Sequence, residues 1–378
     1  MKIKSKEQKP RVLLAMSGGV DSSVAALLLK RQGYEVIGAF MKNWSDTKDP
    51  LTGRCAWRTE RKMALKVASQ LDIPLITLDF EKQYRKEVIE KMFEKYKRGI
   101  TPNPDIDCNQ KIKFPLLLKE AKKLNINLIA TGHYARISKN KQGIYELYRG
   151  KDESKDQSYF LYKINPKELS RCLFPIGEYT KEQVRTIAQT NKFPNYNKKG
   201  TVGICFVGKV NLKKFLQRKI KPKKGKILNP QGEIIGEHDG IYYYTIGQRL
   251  GPRYGFELDR GDKNKPSKWY VARKDAKKNI IVAAPEGHMI NLRKEVIARD
   301  IYFIDNSLTS KIKRGDKLKV LSRIRHVGEL LPSTLSYNKK YKQFQVKLDE
   351  AITGISEGQA IVLYQGEKVL GGGEIMFD

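Results

Sequence analysis

The sequence predicts an α/β domain built on a doubly wound, mostly parallel sheet, followed by a small β-rich domain and a C-terminal β-barrel. Three observations predict it. Apolar strands alternate with amphipathic helices through the first half of the chain. The first strand, "RVLLAM", runs into the turn "SGGVDS" and then a helix. Beyond about Leu212 the texture changes to short alternating runs such as "IYYYTIGQRLG", "KWYVARK" and "YKQFQVKLD", with Gly, Asn-Pro or Asp-Gly turns between them.

Taken in order, "RVLLAM" reads as a buried strand and Ser22 to Gln32 as a helix closed by Gly33. "YEVIGAFM" is the second strand, "AWRTERKMALKVASQL" a helix and "IPLITLDF" the third strand. "EKQYRKEVIEKMFEKYKRG" predicts one long amphipathic helix. "TPNPDIDCNQ" breaks regular structure with two prolines, before another helix and a strand over "NLIATGHYARI". Cys172, in "ELSRCLF", reads as a core residue on a helix. Such a βαβα rhythm is Rossmann-like, and its ligands sit beyond the carboxyl ends of the strands, where Ser17, Met41 and Thr131-Gly132-His133 all fall. The expected division is 1–210, 211–284 and 285–378.

Composition sets the outer bounds. The net charge of +33 over 378 residues points to a polyanionic partner. It is concentrated from Lys209 to Gln231, which holds nine Lys/Arg and no acid, with Leu212, Phe215 and Leu216 as the apolar face of a short helix. No apolar run approaches the roughly 20 residues that span a bilayer, and the start has too short an apolar stretch for a signal peptide, so the expectation is a cytoplasmic protein without a membrane partner. Cys55, Cys108, Cys172 and Cys205 form no C-x-x-C pair, which argues against a disulfide framework or a zinc knuckle. His238 and His288 read as turn histidines, and no metal site held by protein ligands alone is expected.

Ser17, Gly18 and Gly19 carry no bulky side chains, so backbone N–H groups and the positive end of the following helix can close on a phosphate. The loop lacks the Gly-Lys-Ser/Thr ending of the common P-loop, whose lysine reaches the outer phosphates. Cys205 lies in a glycine-flanked apolar stretch that by itself more often holds a core thiol. Cys108 falls in a Pro/Asn/Asp segment with little for a structural cysteine to pack against. Asp105, three residues earlier, would raise a nearby thiol pKa rather than activate it. It suits proton transfer to a substrate, or an Asx-turn or helix cap.

The string S-G-G-x-D-S resembles the PP-loop of the N-type ATP pyrophosphatases, which cleave ATP between the α- and β-phosphates. "SGGVDS", "TPNPDIDCNQKIKF", "ATGHYAR", "KDQSYFLY", "FPIGEYTKEQVR", "GICFVG", "GEHDGIYYYTIGQR" and "LGGGEI" together resemble the tRNA-specific 2-thiouridylase family, in order along nearly the whole chain. That resemblance implies ATP and magnesium as cofactors and a tRNA-uridine 2-sulfurtransferase activity on the wobble uridine of tRNAs for Lys, Glu and Gln. The uracil O2 is adenylated, Cys205 carries a persulfide loaded by a cysteine desulfurase or a sulfur-relay protein, and Cys108 is the partner thiol, leaving a Cys108–Cys205 disulfide. Position for position, it implies ATP contacts from Ala15, Met16, Ser17, Gly18, Gly19, Val20, Asp21, Ser22, Met41 and Gly132, with Asp21 helping to hold magnesium. Asn103, Pro104 and Asp105 surround the target base, with Asp105 as acid/base. His133, Lys155, Asp156, Gln157, Arg323, Ile324 and Gln359 touch tRNA.

Departures from the family pattern are small: Thr201 and Val202 precede "GICF" where Ser-Thr is frequent, and Leu250 replaces a frequent lysine. An iron–sulfur cluster on Cys108 and Cys205 is disfavoured because no third cysteine neighbours them in sequence. A PP-loop enzyme acting on a small-molecule acceptor needs no pair of thiols. A non-catalytic RNA-binding protein has no use for the intact loop. A 4-thiouridine synthetase has additional N-terminal RNA-binding domains, for which no room is expected before residue 11.

Overall fold

Val12, Leu13 and Leu14 are fully buried in strand β1 (Arg11–Ala15), so this strand is covered on both faces, as parallel sheets require. The computed structural model describes residues 9–47, 55–200, 207, 211–251, 268–326 and 328–377. Helix α1 (Val20–Arg31) buries its middle, Val24 to Leu29, and ends at Gly33, whose φ of +88° suits a residue without a side chain. Strand β2 (Glu35–Lys42), helix α2 (Ala56–Gln70) and strand β3 (Leu75–Asp79) follow as expected. Only one face of α2 is buried, at Ala64, Val67 and Ala68, as its mixed sequence dictates.

The long helix expected after β3 is broken into α3 (Glu81–Tyr84), a π turn at 85–90, and α4 (Lys91–Lys97). Residues 101–103 are irregular, but the expected loop then becomes a helix, α5 (Pro104–Cys108), which runs into a second π turn at 109–113 and α6 (Phe114–Lys123). Proline at the first position and two acids in the first turn are good helix-start residues, which explains the difference. The single strand read over "NLIATGHYARI" is two: β4 (Leu128–Ala130) and β5 (Ala135–Lys139), the latter pairing antiparallel with β6 (Tyr145–Arg149).

Helix α7 (Pro166–Leu169) is closed by an Asn165/Glu168 capping box, and the chain then enters strand β7 (Cys172–Leu173). Cys172 therefore sits on a strand, not a helix, paired with Ile129, though it is a core residue as expected. Burial pushes its thiol well above the usual range. Helix α8 (Lys181–Thr190) begins with a Thr180/Gln183 capping box. The sheet order is β3-β2-β1-β4-β7, all parallel, so the strand order reverses beside β1.

The chain folds as two compact units: one takes 1–88, 105–209 and 367–369, the other 89–104, 210–366 and 370–378. In the second unit, Asn211 caps α9 (Leu212–Gln217), and Phe215 stacks on Phe93 of α4 with centroids 5.5 Å apart. Phe215 and Leu216 are buried as expected, whereas Leu212 is exposed. Strands β8 (Gly225–Leu228), β9 (Ile234–His238), β10 (Arg249–Leu250), β11 (Trp269–Asp275) and β12 (Ile280–Pro285) form one sheet in the order β10-β11-β12-β8-β9. His238 and His288 each accept a backbone N–H two residues on, the turn role read from the sequence.

Within that sheet Lys274 donates to the Tyr244 carbonyl at 2.7 Å. Burial pushes its pKa down to about 8 from 10.5, and the charge of Glu357 only partly opposes this. Between these two values the folded protein has shed a proton that the unfolded chain keeps, so stability rises with pH across that window. Relative to Lys274→Met, the wild-type melting temperature is expected to climb by a few degrees between about pH 7 and pH 10. Parallel curves in differential scanning fluorimetry would show that the ammonium is solvated.

Strands β13 (Leu292–Phe303), β14 (Leu318–Arg323), β15 (Leu331–Asn338), β16 (Gln343–Thr353), β17 (Ala360–Gln365) and β18 (Lys368–Met376) run in the order β13-β16-β15-β14-β17-β18. Pairing of β13 with β18 closes them into a six-stranded barrel. Its core holds Val296, Leu335, Val346, Ile361 and Leu363, and α10 (Ser307–Arg314) lies between β13 and β14 in sequence.

Candidate active site

The turn after β1 has the geometry of an anion cradle. Gly18 has φ +77°, and a Cβ there would lie 2.3 Å from the Glu60 carbonyl oxygen. Gly19 starts α1 without any side-chain cap, so the first-turn N–H groups are left for an anion. The Ser22 hydroxyl accepts from the Ser17 N–H at 3.2 Å and donates to the Gly19 carbonyl at 3.1 Å, which folds the loop onto the helix. Asn195, almost fully buried, donates to the Gly18 carbonyl at 3.1 Å and to the Ser23 hydroxyl at 2.9 Å. Lys198 donates to the same carbonyl and pairs with Glu60. These contacts fix the loop from behind and leave Ser17 exposed in front.

The loop after β4 comes against the same helix. A Cβ on Gly132 would lie 2.7 Å from the Ser22 backbone nitrogen and 2.9 Å from the Asp21 carbonyl carbon. Only glycine permits that approach. Asp21 Oδ1 accepts from the Tyr134 hydroxyl at 2.8 Å and from Lys181 Nζ at 2.6 Å. Burial and the Asp21 charge push the Tyr134 phenol up, so it remains a donor. Gln157 holds the Tyr134 backbone from both sides, accepting its N–H at 3.0 Å and donating its own N–H to its carbonyl at 2.8 Å. Met16 and Met41 are buried at the carboxyl ends of β1 and β2, and Ala15 and Val20 flank the turn. Beside Met41, Asn43 is 1% exposed, and neither polar atom of its amide has a partner among the described residues.

The expected tRNA contacts divide into inward and outward residues. Lys155 is exposed. Asp156 is 1% exposed and accepts from the Gly150 and Ser158 N–H groups and the Ser158 hydroxyl, so it shapes its loop from inside. His133 is also buried, stacked on Phe114 with Phe174 at its edge. Lys113 Nζ lies 3.2 Å from its Nε2 and Thr131 Oγ1 2.7 Å from its Nδ1. Burial first, and the Lys113 charge second, hold its pKa well below the usual value. The imidazole is therefore neutral, with Nε2 accepting from the ammonium and Nδ1–H donating to Thr131.

In the second unit, Gln359 Nε2 donates to the carbonyls of Thr101 at 3.0 Å and Pro102 at 2.9 Å, and Asn103 Nδ2 lies 3.5 Å from its Oε1. Gln359 thus anchors the stretch of chain that leads into Pro104 and Asp105. Arg323 and Ile324 are buried, the guanidinium 5.4 Å from the Tyr364 ring centre. Asp105 is half-buried in the first turn of α5, and Cys108, expected in an open loop, is 0% exposed at the end of that helix. Cys205, with Thr201 and Val202, lies outside the described residues; Val207, two positions on, is buried and accepts from the Thr47 hydroxyl at 2.9 Å. Tyr134 and Lys181 fall within "ATGHYAR" and "FPIGEYTKEQVR" with no role of their own assigned there, and Asn195 and Lys198 lie in none of those strings, because nothing local signals a residue recruited from more than 100 positions away.

A parallel sheet with a glycine loop at its switch point, a smaller β sheet and a closed six-stranded barrel define a PP-loop protein of the HUP class. Three family models match in succession: the tRNA methyl transferase HUP domain at 10–209, its PRC-barrel domain at 213–285 and an aminomethyltransferase beta-barrel domain at 293–375. The chain is 40% identical over 368 residues to a tRNA-specific 2-thiouridylase MnmA of Pediococcus pentosaceus, covering 97% of this chain and 95% of that one. It is 41% identical over 367 residues to the protein of that name from Lactiplantibacillus plantarum, with the same coverage. Against that of Bacillus subtilis it is 40% identical over 373 residues, covering 98% and 96%. The chain belongs to the tRNA-specific 2-thiouridylase MnmA family.

Proposed function

We propose that this protein uses ATP to replace O2 of the wobble uridine in tRNAs for Lys, Glu and Gln with sulfur. The uncapped start of α1 at the switch point of the sheet, in a chain matching the 2-thiouridylase family over its whole length, carries this reading. The domains assigned to the work are 1–210 for nucleotide and catalysis, and 211–284 and 285–378 for tRNA. A uracil oxygen is a very poor leaving group. Its attack on the α-phosphorus of ATP expels pyrophosphate and leaves it as part of AMP, a competent one. Ala15 to Ser22 and Gly132 cradle the phosphates. Met41 packs beside the base, and Asn43 offers the donor–acceptor pair that an adenine edge needs. Asp21 would help to hold Mg2+, whose charge would screen the phosphates.

Asp105 moves the proton at the uracil. The sulfane sulfur of a Cys205 persulfide, loaded by a cysteine desulfurase or a relay protein, attacks C2, and AMP departs with the old oxygen. Cys108 reduces the sulfur–sulfur bond, leaving 2-thiouridine and a Cys108–Cys205 disulfide that an external reductant reopens. Gln359 holds the chain from Thr101 to Asn103 that leads into Pro104, and Asn103 and Pro104 line the base. Lys155 contacts the tRNA directly, while His133, Asp156, Gln157, Arg323 and Ile324 support the surfaces that do. No helix among the described residues is long and apolar enough to cross a membrane, and we infer a cytoplasmic enzyme.

The test is to incubate tRNA with the protein, ATP, Mg2+, cysteine and a desulfurase, then digest it and look for 2-thiouridine by mass spectrometry. Its absence under these conditions, with ATP still bound, would favour a different acceptor.

A further inference from the structure

The PP-loop of this chain contains no lysine, yet a lysine reaches it from elsewhere. Lys181 Nζ is 2.6 Å from Asp21 Oδ1 and 5.7 Å from the centre of the Tyr134 ring. The Lys181 side chain is 16% exposed and that of Asp21 31%, so both side chains are more than half removed from water. The position is electrostatically adverse for its own helix: Lys181 is the first residue of α8, where the helix dipole disfavours a cation. It is nonetheless closely held. The Thr180/Gln183 capping box fixes the start of α8, and the Lys181 backbone N–H donates to Asp152 Oδ2 at 2.8 Å. A lysine kept at the wrong end of a helix, with its head on the first turn of α1, is explained by what it meets there.

We propose that Lys181 is the phosphate lysine of this site and a catalytic residue, touching the outer phosphates and neutralising the leaving pyrophosphate. The inference rests on the nucleotide reading of the loop. In the protein alone Asp21 occupies the ammonium. Asp21 would hold Mg2+ when the ion is bound, and the Lys181 ammonium beside it would then be available to the outer phosphates at the same helix N-terminus. As the uracil oxygen bonds to the α-phosphorus, the bond from that phosphorus to the β-bridging oxygen breaks. Both electrons of the broken bond stay on pyrophosphate, and nothing is oxidised or reduced. The added negative charge is what an ammonium fixed on a rigid helix stabilises. AMP has no β-phosphate and makes no use of it.

The full-length protein and its Lys181→Met and Lys181→Arg variants are titrated with ATP and with AMP, each in Mg2+, by isothermal calorimetry. One charge-assisted hydrogen bond corresponds to a loss of roughly 10- to 100-fold in ATP affinity for Lys181→Met. AMP affinity stays within about twofold and Lys181→Arg keeps most of the ATP affinity, as a contact confined to the outer phosphates predicts. Unchanged ATP affinity in Lys181→Met, or equal weakening of ATP and AMP, overturns the assignment while leaving the nucleotide site standing. A wild-type protein that binds neither nucleotide overturns both.

Discussion

Replacing Cys205 with serine, or Cys108 with serine or alanine, is expected to abolish 2-thiouridine formation while leaving ATP affinity within about twofold. The chemistry dictates both halves of this result. A serine oxygen cannot carry a sulfane sulfur, so on the proposed mechanism Cys205→Ser would remove the donor atom itself rather than slow a step. An ordinary thiol, with a pKa near ~8.5, is only a few per cent thiolate at neutral pH, whereas a persulfide supplies a better nucleophile. Cys108 is 0% exposed, and serine at its place buries a hydroxyl at a cost of roughly 1–3 kcal/mol. Alanine at the same position avoids that penalty and separates loss of chemistry from loss of fold. The readout is mass spectrometry of digested tRNA beside a melting curve of each variant. Product from a well-folded variant at either position would remove that cysteine from the mechanism.

The second large effect is expected at Gly132. An added methyl group would sit 2.7 Å from the Ser22 nitrogen and 2.9 Å from the Asp21 carbonyl carbon, and both are backbone atoms of α1 that cannot rotate away. Gly132→Ala must therefore push the end of β4 from the first turn of α1 and move the Asp21–Tyr134 contact with it. ATP affinity should fall by at least about tenfold, and overpacking of this kind costs roughly 1–3 kcal/mol of stability. Gly33→Ala is the control. Gly33 also has a positive φ, +88°, but an added Cβ meets nothing within 4 Å. It loses about 1 kcal/mol or more through backbone strain and keeps its nucleotide affinity. If calorimetry finds the two variants alike in ATP binding, the close packing of β4 on α1 has no part in holding the nucleotide.

The parallel sheet was legible because burial on both faces leaves a continuous apolar run, as in "RVLLA", and because glycines mark the turn that follows. The strand breaks were less so. "NLIATGHYARI" is apolar enough to read as one strand, yet the chain must leave the sheet at Thr131 so that Gly132 can rest on α1 and Tyr134 can reach Asp21. Cys172 lies where helical and strand periodicities agree over a few residues, and pairing with Ile129 decides between them. At Pro104 the helix-start signal, Pro followed by Asp105 and Asp107, coincides with turn chemistry, because Pro and Asp serve both. The loop residues of the site were visible in the sequence. Their supports were not, because Asn195 and Lys181 lie 160 or more positions from their partners, and only the folded chain brings them there.

Closure of the barrel by its last strand has a consequence for how the protein is made. Ile297 in β13 is paired with Met376 in β18, far apart along the chain. Because chains fold from the N-terminal end during synthesis, β13 has one edge unsatisfied on the ribosome until β18 has been made. Zipping that seam is a slow step of high contact order. During that interval the open edge is exposed to neighbouring nascent chains, and truncation before β18 leaves it open for good.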